Sequence, residues 1–277
     1  MGLRINTNVP VLAAQRTLEN TTSQQSKTLE QLSSGQRIVS AGDDAAGLAI
    51  GSKLKAQISG MVQAKRSTND GISLAQTAEG AMNEVSNILI RLRELGVQAA
   101  SDTIGEQERG YIQVETKALV DEVDRISQST QFNGINLLNG ENSNGDLVFQ
   151  VGANGGEENR ISFDANSTDA TASTLGISGL DLSDRDSAAD SLASVDEAIN
   201  SINSNRASLG ALQNRLTSTS NNLGNMVQTF SAAKSQVLDT DYAQTAAQLT
   251  QSNILANAGI SVLAQASNSP SQALKLL

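Results

Sequence analysis

Residues 54–100 read LKAQISGMVQAKRSTNDGISLAQTAEGAMNEVSNILIRLRELGVQAA, a stretch that predicts one very long helix. Its apolar residues recur every three or four positions and keep one helical face apolar throughout. They are Leu54, Ile58, Met61, Ile72, Ala75, Met82, Val85, Leu89, Leu92 and Ala99. If Asp43 or Asp44 caps its first turn, the helix would extend roughly 80 Å. A helix of this length must bury its apolar face lengthwise against other helices.

The same spacing returns on both sides of this stretch. It predicts further helices over residues 11–32, about 106–129, 187–237 and 246–263. The chain has prolines only at Pro10 and Pro270, so no missing N–H interrupts the helices between them. We therefore expect a mainly α fold, a long antiparallel helical bundle or coiled coil formed by the N- and C-terminal halves.

The middle of the chain, at about 141–186, is rich in Asn, Gly, Ser and Asp. Within it, residues 146–152 and 159–164 alternate apolar and polar side chains with a period of two, which is typical of strands. The short connection between them predicts a small central β-hairpin. Asn133-Gly134 and Asn139-Gly140 are turn dipeptides just before this region.

Composition excludes several classes of function. The chain has no Cys and no His, so it offers no thiolate nucleophile, no imidazole base and no Ser-His-Asp triad. We therefore expect neither an enzyme nor a cofactor-binding protein. A net charge of −10 and an aromatic content of 2% make nucleic acid an unsuitable partner. Asp43-Asp44 lacks a third ligand, which favours a helix cap with a turn contact over a metal site.

The sequence carries no signal for membrane insertion or for cleavable secretion. It contains no run of about 18 apolar residues, so we expect no membrane insertion. The start MGLRINTNVP (residues 1–10) lacks the apolar core of a signal peptide. Two locations remain open, the cytosol or the cell exterior by a route that reads no cleavable signal.

Residues 242–274 contain no Lys, Arg, Asp or Glu. A helix on the surface of a monomer normally carries a charged face. Here the face opposite the apolar one consists of Gln, Thr, Ser and Asn, which can be buried through hydrogen bonds without desolvating a charge. Two interpretations are open: a polar tail that is disordered in the single chain, or a segment that assembly buries on all sides. Disorder can also precede burial.

Eight motifs stand in order along the chain: INTNV (5–9), LSSGQRI (32–38), AGDDAAGLAI (41–50), residues 67–81, RLREL (91–95), QFNG (131–134), DYA (241–243) and SVLAQA (261–266). In this order they resemble bacterial flagellin, the filament protein of flagella. The resemblance covers about 1–140 and 187–277. The central part has too few residues for the large outer domains that many relatives insert, so the chain resembles a short, minimal flagellin.

The resemblance implies an architecture and a function. Residues 1–42 and 238–277 would form an inner coiled-coil polymerisation domain, and residues 43–237 an outer helical domain with the hairpin. The protein would be a structural subunit that assembles with itself into the extracellular flagellar filament used for motility. It would leave the cell largely unfolded through the flagellar type III export apparatus, with a secretion chaperone. It would also meet the filament cap and hook-associated proteins.

We expect the apolar faces of the two terminal helices to form the polymerisation interface. Its residues are Val11, Ala14, Leu18, Leu29 and Leu32 on the N-terminal helix and Ala246, Leu249, Ala256, Ile260 and Leu263 on the C-terminal helix. At about 25 cal/mol per Å², a few hundred Å² of apolar area buried per neighbour would contribute several kcal/mol. An asymmetric subunit that repeats head-to-tail gives an open helix, as a filament requires.

In the family, the stretch around Arg91 is also read by an animal innate immune receptor. The resemblance implies Arg91, Leu95 and Glu115 as the candidate surface for such a receptor. Ile90 at a usually polar position and Ser220 at a usually apolar one depart from the family's pattern and count against this recognition.

Two alternative functions remain open. A hook–filament junction protein shares the terminal helices but typically lacks the RLREL and QFNG matches. A helical signalling rod, from another class of protein, would have charged termini and no ordered series of motifs, and it would be found only in the cytosol.

Overall fold

A computed structural model describes residues 8–140 and 146–274 of the chain. It is 75% helical, which confirms the mainly α class. The helices are α1 (Val9–Ser34), α2 (Ala45–Ala99), α3 (Glu106–Ser129), α4 (Arg185–Leu238) and α5 (Tyr242–Leu274), each predicted from the spacing of apolar residues. Residues 5–7 of the INTNV motif and 275–277 of the predicted inner domain lie outside the described residues.

The chain divides into two compact units. The terminal unit comprises Met1–Ala56 and Thr229–Leu277 and contains α1, α5, the first turns of α2 and the last turns of α4. The central unit comprises Gln57–Gln228 and contains the rest of α2 and α4, all of α3 and the strands. The predicted division at residues 42 and 238 stays a prediction.

In the central unit, α2 and α4 run antiparallel with their apolar faces buried. Gln213 Nε2 donates to Glu79 Oε2 at 2.7 Å and Ser220 Oγ donates to Asn69 Oδ1 at 3.2 Å, and the two contacts fix the alignment. The buried side chains of the core include Met82, Val85, Leu89 and Leu92 from α2, Val123 from α3, and Ile202, Leu209 and Leu216 from α4. This is the lengthwise burial that the apolar spacing predicts.

Two small antiparallel strand pairs belong to the central unit. β1 (Gln131–Phe132) pairs with β2 (Ile135–Asn136) around Asn133 and Gly134, whose φ angles of 51° and 79° suit a two-residue hairpin turn. β3 (Asp146–Gln150) pairs with β4 (Arg160–Asp164) and buries one face in the core. The central hairpin is therefore confirmed. The sequence identified the first pair only as a turn, because two residues per strand leave no period to detect.

Arg109 joins the end of α2 to the start of α3. Its side chain is buried, and its Nε donates to the carbonyl oxygen of Ala99 at 2.8 Å, while Nη2 donates to that of Ser101 at 3.0 Å. The last carbonyls of a helix have no partner within the helix, so the guanidinium supplies donors and a favourable charge at this end.

Candidate self-association surface

Helices α1 and α5 pack antiparallel within the terminal unit. Asn8 Nδ2 donates to the carbonyl oxygen of Ala266 at 3.0 Å, near the start of α1. Further along α1, Gln25 Nε2 donates to Asn253 Oδ1 at 2.5 Å. Because the contacts advance on α1 as they recede on α5, the two helices run in opposite directions.

Their contact follows a heptad pattern, with alternating steps of three and four residues on each helix. We call the positions that share this pattern the seam, and all of them are partly or fully buried. The seam comprises Val11, Ala14, Leu18, Thr21, Gln25, Thr28 and Leu32 on α1, and Thr245, Leu249, Ser252, Ala256, Gly259, Leu263 and Ala266 on α5. The α1–α5 pair is thus a short antiparallel coiled coil.

Several seam positions carry polar residues, whereas the corresponding positions of a coiled coil are usually apolar. Thr28, Thr245 and Ser252 are buried in it, at 0%, 5% and 7% exposure. In contrast, large aliphatic side chains of both helices are about half exposed or more. We call these the outer apolar set: Val9, Leu12 and Leu29 on α1, and Ile254, Leu255, Ile260 and Val262 on α5. Solvent therefore covers the side chains that would gain most from burial.

The residues predicted as the polymerisation interface fall into two groups. Only Leu29 and Ile260 are exposed, at 48% and 55%. The others are partly buried, and they lie in the seam or, for Ala246, beside it: Val11, Ala14, Leu18, Leu32, Ala246, Leu249, Ala256 and Leu263. Most of the predicted interface residues thus lie in or beside the contact between α1 and α5 of the same chain.

A groove of about 600 Å³ opens beside the seam. Leu18 and Leu263 form its apolar part, and the remaining lining comes from one face of α1: Gln15, Glu19, Thr22, Ser23 and Ser26. Its apolar residues are seam residues that the helix pair leaves only partly covered.

A backbone bridge closes the other end of the α1–α5 pair. Gly35 ends α1 in the left-handed conformation (φ 68°), and Gln36 then pairs antiparallel with Asp239. The N–H of Arg37 donates to the carbonyl oxygen of Leu238 at 2.7 Å, and the N–H of Thr240 donates to that of Gly35 at 3.0 Å. The bridge joins the end of α1 to the segment between α4 and α5.

Asp43 and Asp44 act separately in the turn that leads into α2. Asp44 is the cap, since its Oδ1 accepts from the N–H of Gly47 at 2.9 Å. Asp43 Oδ2 accepts from the N–H groups of Val39 and Ser40 at 3.1 and 3.0 Å, and Lys27 Nζ lies 2.7 Å from its Oδ1. The hydrogen bond from Lys27 and those from the backbone hold the pKa of Asp43 well below its usual range.

The candidate receptor residues lie in the central unit and differ in exposure. Arg91 and Glu115 are about half exposed and form an ion pair of 2.8 Å between α2 and α3. Arg91 also contacts Glu94 at 3.0 Å, and hydrogen bonding to the two carboxylates raises its pKa. Leu95 is 1% exposed and belongs to the core with Ile112 and Leu182, so it presents no side chain to a partner.

These features define a class of protein: a mainly helical chain whose paired terminal helices expose large aliphatic side chains and whose last helix, α5, carries no charged residue. Among the described residues, none of the helices is long and apolar enough for a membrane span.

The family description "Bacterial flagellin N-terminal helical region" matches residues 5–143, and "Bacterial flagellin C-terminal helical region" matches residues 192–277. The chain is 42% identical over 273 residues to flagellin of Halalkalibacterium halodurans, with 99% of both chains covered. It is 41% identical over 305 residues to flagellin of Bacillus subtilis, covering 99% of this chain and 100% of that one. The crystal structure of Bacillus cereus flagellin aligns with a TM-score of 0.51 and 32% identity, over 57% of this chain and 88% of that one.

The chain belongs to the bacterial flagellin family. It is a structural subunit of the flagellar filament, outside the cell, and the junction-protein alternative is not favoured.

Proposed function

We propose that copies of this chain join one another in the filament through the outer apolar set of α1 and α5. The observation that carries the proposal is that α5 exposes Ile254, Ile260 and Val262 by more than half while containing no charged residue. Fully burying a side chain of this size contributes about 1.5–3 kcal/mol. A neighbour that covers this face desolvates no ion, so little opposes the gain.

In this proposal the two groups of predicted interface residues have different roles. Leu29 and Ile260 contact neighbouring copies directly. The partly buried residues hold α1 against α5 within each chain, and the groove at Leu18 and Leu263 receives a helix of a neighbour. Residues 1–42 and 238–277 then form the inner domain of the filament, and residues 43–237 the outer one.

The same composition supports export in an unfolded state. The fully buried seam residues are polar and the large aliphatic ones are only partly covered, so the seam contributes little to offset the conformational entropy lost on ordering two helices. We propose that the termini are unfolded before assembly, which fits passage through the type III export apparatus with a secretion chaperone bound. When a chain is added under the filament cap, neighbouring copies cover its terminal helices. Hook-associated proteins contact the same helices.

The experiment removes part of the outer apolar set without adding charge. In the variant Ile254→Ser/Ile260→Ser, we expect the critical concentration for seeded polymerisation to rise tenfold or more, since about 1.4 kcal/mol corresponds to a factor of ten. Sedimentation and electron microscopy measure it. The matched control is Val148→Ser, because Val148 is an aliphatic residue at 55% exposure on β3. Equal critical concentrations for the variant and the control would overturn the proposal.

A second candidate function is recognition by an animal innate immune receptor. It is supported by the exposed ion pair of Arg91 and Glu115 and by the exposed side chain of Val114, the residue before Glu115. We expect Arg91→Ala/Glu115→Ala to lower receptor signalling in a reporter cell while leaving seeded assembly unchanged. Signalling equal to that of the unaltered chain would remove Arg91 and Glu115 from the receptor surface.

A further inference from the structure

Gln25 stands at the middle of the α1 seam, at a position where a coiled coil usually places an aliphatic residue. Thr21 and Thr28, the seam positions before and after it, are also polar. Gln25 reaches across to Asn253, which follows the seam residue Ser252, and the two amides share a hydrogen bond of 2.5 Å. The bond is exposed to solvent and lies at the edge of the seam, because Asn253 is exposed and Gln25 is partly buried. A polar contact between the two helices of a coiled coil can select register and partner, at some cost in stability.

Selection matters because the chain offers competing partners for α1. The outer apolar set places Ile254 and Leu255 on the same helix as Asn253, and in the proposed filament each neighbouring copy carries the same two side chains. A fully apolar α1 seam would pack against any such aliphatic face. Opposite an aliphatic face, the partly buried Gln25 would have no hydrogen-bond partner on the other helix, and the loss of this bond discriminates against the wrong partner.

We infer that the Gln25–Asn253 hydrogen bond directs α1 to the α5 of its own chain, in the observed register, in preference to the α5 of a neighbour. The inference rests on the proposed function, since the competition arises from the outer apolar set. The Gln25–Asn253 pair therefore affects which α5 helix α1 selects and in which register. Replacing both amides with Leu leaves no unsatisfied group and keeps the helices able to associate, but it removes the distinction between partners.

The absence of cysteine from the sequence allows a disulfide test. A Cβ on Gly259 would lie 4.0 Å from the Cβ of Leu18, within the usual range of about 3.5–4.5 Å for a disulfide. In the parent variant Leu18→Cys/Gly259→Cys, oxidation traps the observed register within one chain. Leu18→Cys combined with Ala256→Cys or Leu263→Cys traps a register shifted by one seam step. Non-reducing gels separate an internally linked monomer from linked dimers, in dilute chain and in sedimented polymer.

In sedimented polymer of the parent variant, where the termini are folded, we expect the internal disulfide between positions 18 and 259 to dominate. Adding Gln25→Leu/Asn253→Leu lowers the fraction of this link about three- to tenfold, as expected for loss of one net hydrogen bond, while dimers and shifted links increase. Adding Gln24→Leu/Gln251→Leu, an equal change at exposed positions next to the pair, keeps the parent pattern. The exchange Gln25→Asn/Asn253→Gln preserves the hydrogen bond and keeps the parent pattern as well.

The inference is overturned if the double-Leu variant gives the parent pattern, if the exchanged pair behaves like the double-Leu variant, or if the parent forms no internal link in either state. A parent that links internally when dilute but never polymerises would contradict the proposed function alone. The experiment can therefore contradict the inference and the proposed function independently of each other.

Discussion

The backbone N–H of Arg37 donates a hydrogen bond of 2.7 Å to the carbonyl oxygen of Leu238, which joins the first and last quarters of the chain at one point. The guanidinium of Arg37 adds a hydrogen bond of 2.8 Å from Nη2 to the carbonyl oxygen of Val237. Val237 and Leu238 end α4, where carbonyls lack helical partners. The contact therefore both completes a helix terminus and closes the α1–α5 pair.

Arg37→Ala removes the guanidinium bond and leaves the backbone bridge. We expect a loss of about 1 kcal/mol in stability, near the average for one net hydrogen bond. Amide exchange at Arg37 and Thr240 should also become faster, because the bridge opens more often. Arg16→Ala is the control for the loss of a positive charge on the same unit. Equal exchange rates in the two variants would show that the guanidinium does not support the bridge.

Asp43→Asn removes the negative charge that Lys27 and the N–H groups of Val39 and Ser40 contact. The pKa of Asp43 is lowered in the folded protein, so its contribution to stability is complete above the unfolded value of about 3.9. That contribution is lost as the pH falls below this value towards the folded pKa. We expect the unaltered chain to lose more stability between about pH 5 and pH 2 than Asp43→Asn does.

Urea unfolding at a series of pH values measures this difference. Asp70→Asn, at an exposed position of α2, serves as the control. If Asp43→Asn and the unaltered chain lose stability in parallel across the acid range, the Lys27–Asp43 contact does not stabilise the fold.

Two glycines within α2 should respond oppositely to the same substitution. A Cβ on Gly51 would lie 2.6 Å from Leu238 Cδ1, whereas a Cβ on Gly80 would meet no atom within 4 Å. We expect Gly80→Ala to stabilise the protein by about 0.5–1 kcal/mol through helix propensity. Gly51→Ala should destabilise it by about 1–3 kcal/mol through overpacking. Thermal unfolding reports both, and Gly51→Ala/Leu238→Ala should recover part of the loss. A stabilising Gly51→Ala would contradict this packing.

Leu95 and Val97, two residues apart on α2, should behave as a core and a surface position. Leu95→Ala should cost about 2–5 kcal/mol, the usual range for a buried leucine, because Leu95 packs with Ile112 and Leu182. Val97→Ala, two residues later at 52% exposure, should change stability by less than about 0.5 kcal/mol. Chemical denaturation measures both. Comparable losses would show that Val97 is covered, which would place a partner or a further contact over this surface.

Apolar spacing predicts the five α-helices of the described residues, and it does so most clearly for α2 and α4, which repeat their pattern over many turns. It does not identify two positions at which α5 meets α1, Ser252 and Gly259. Small residues allow the two helices to approach closely, but they are not large apolar residues, so the spacing of large apolar residues does not detect them.

The candidate site was harder to predict than the fold. The sequence marks α5 as unusual through its missing charges, but spacing does not reveal whether an apolar residue faces its own chain or a neighbour. Leu18 and Ile260 look equivalent in the sequence, yet one lies in the seam and the other is 55% exposed. The sequence does not distinguish Asp43 from Asp44 as the cap of α2. The structure shows that Asp44 accepts from the N–H of Gly47, whereas Asp43 contacts Lys27.

The uncharged composition of α5 has a consequence for survival outside the cell. Proteases of the trypsin type cut after Lys or Arg and find no site between Lys234 and Lys275, and those that cut after acidic residues find none beyond Asp241. The protection needs no fold, because it resides in the covalent sequence itself. The segment therefore resists both kinds of digestion even when it is unfolded and fully accessible.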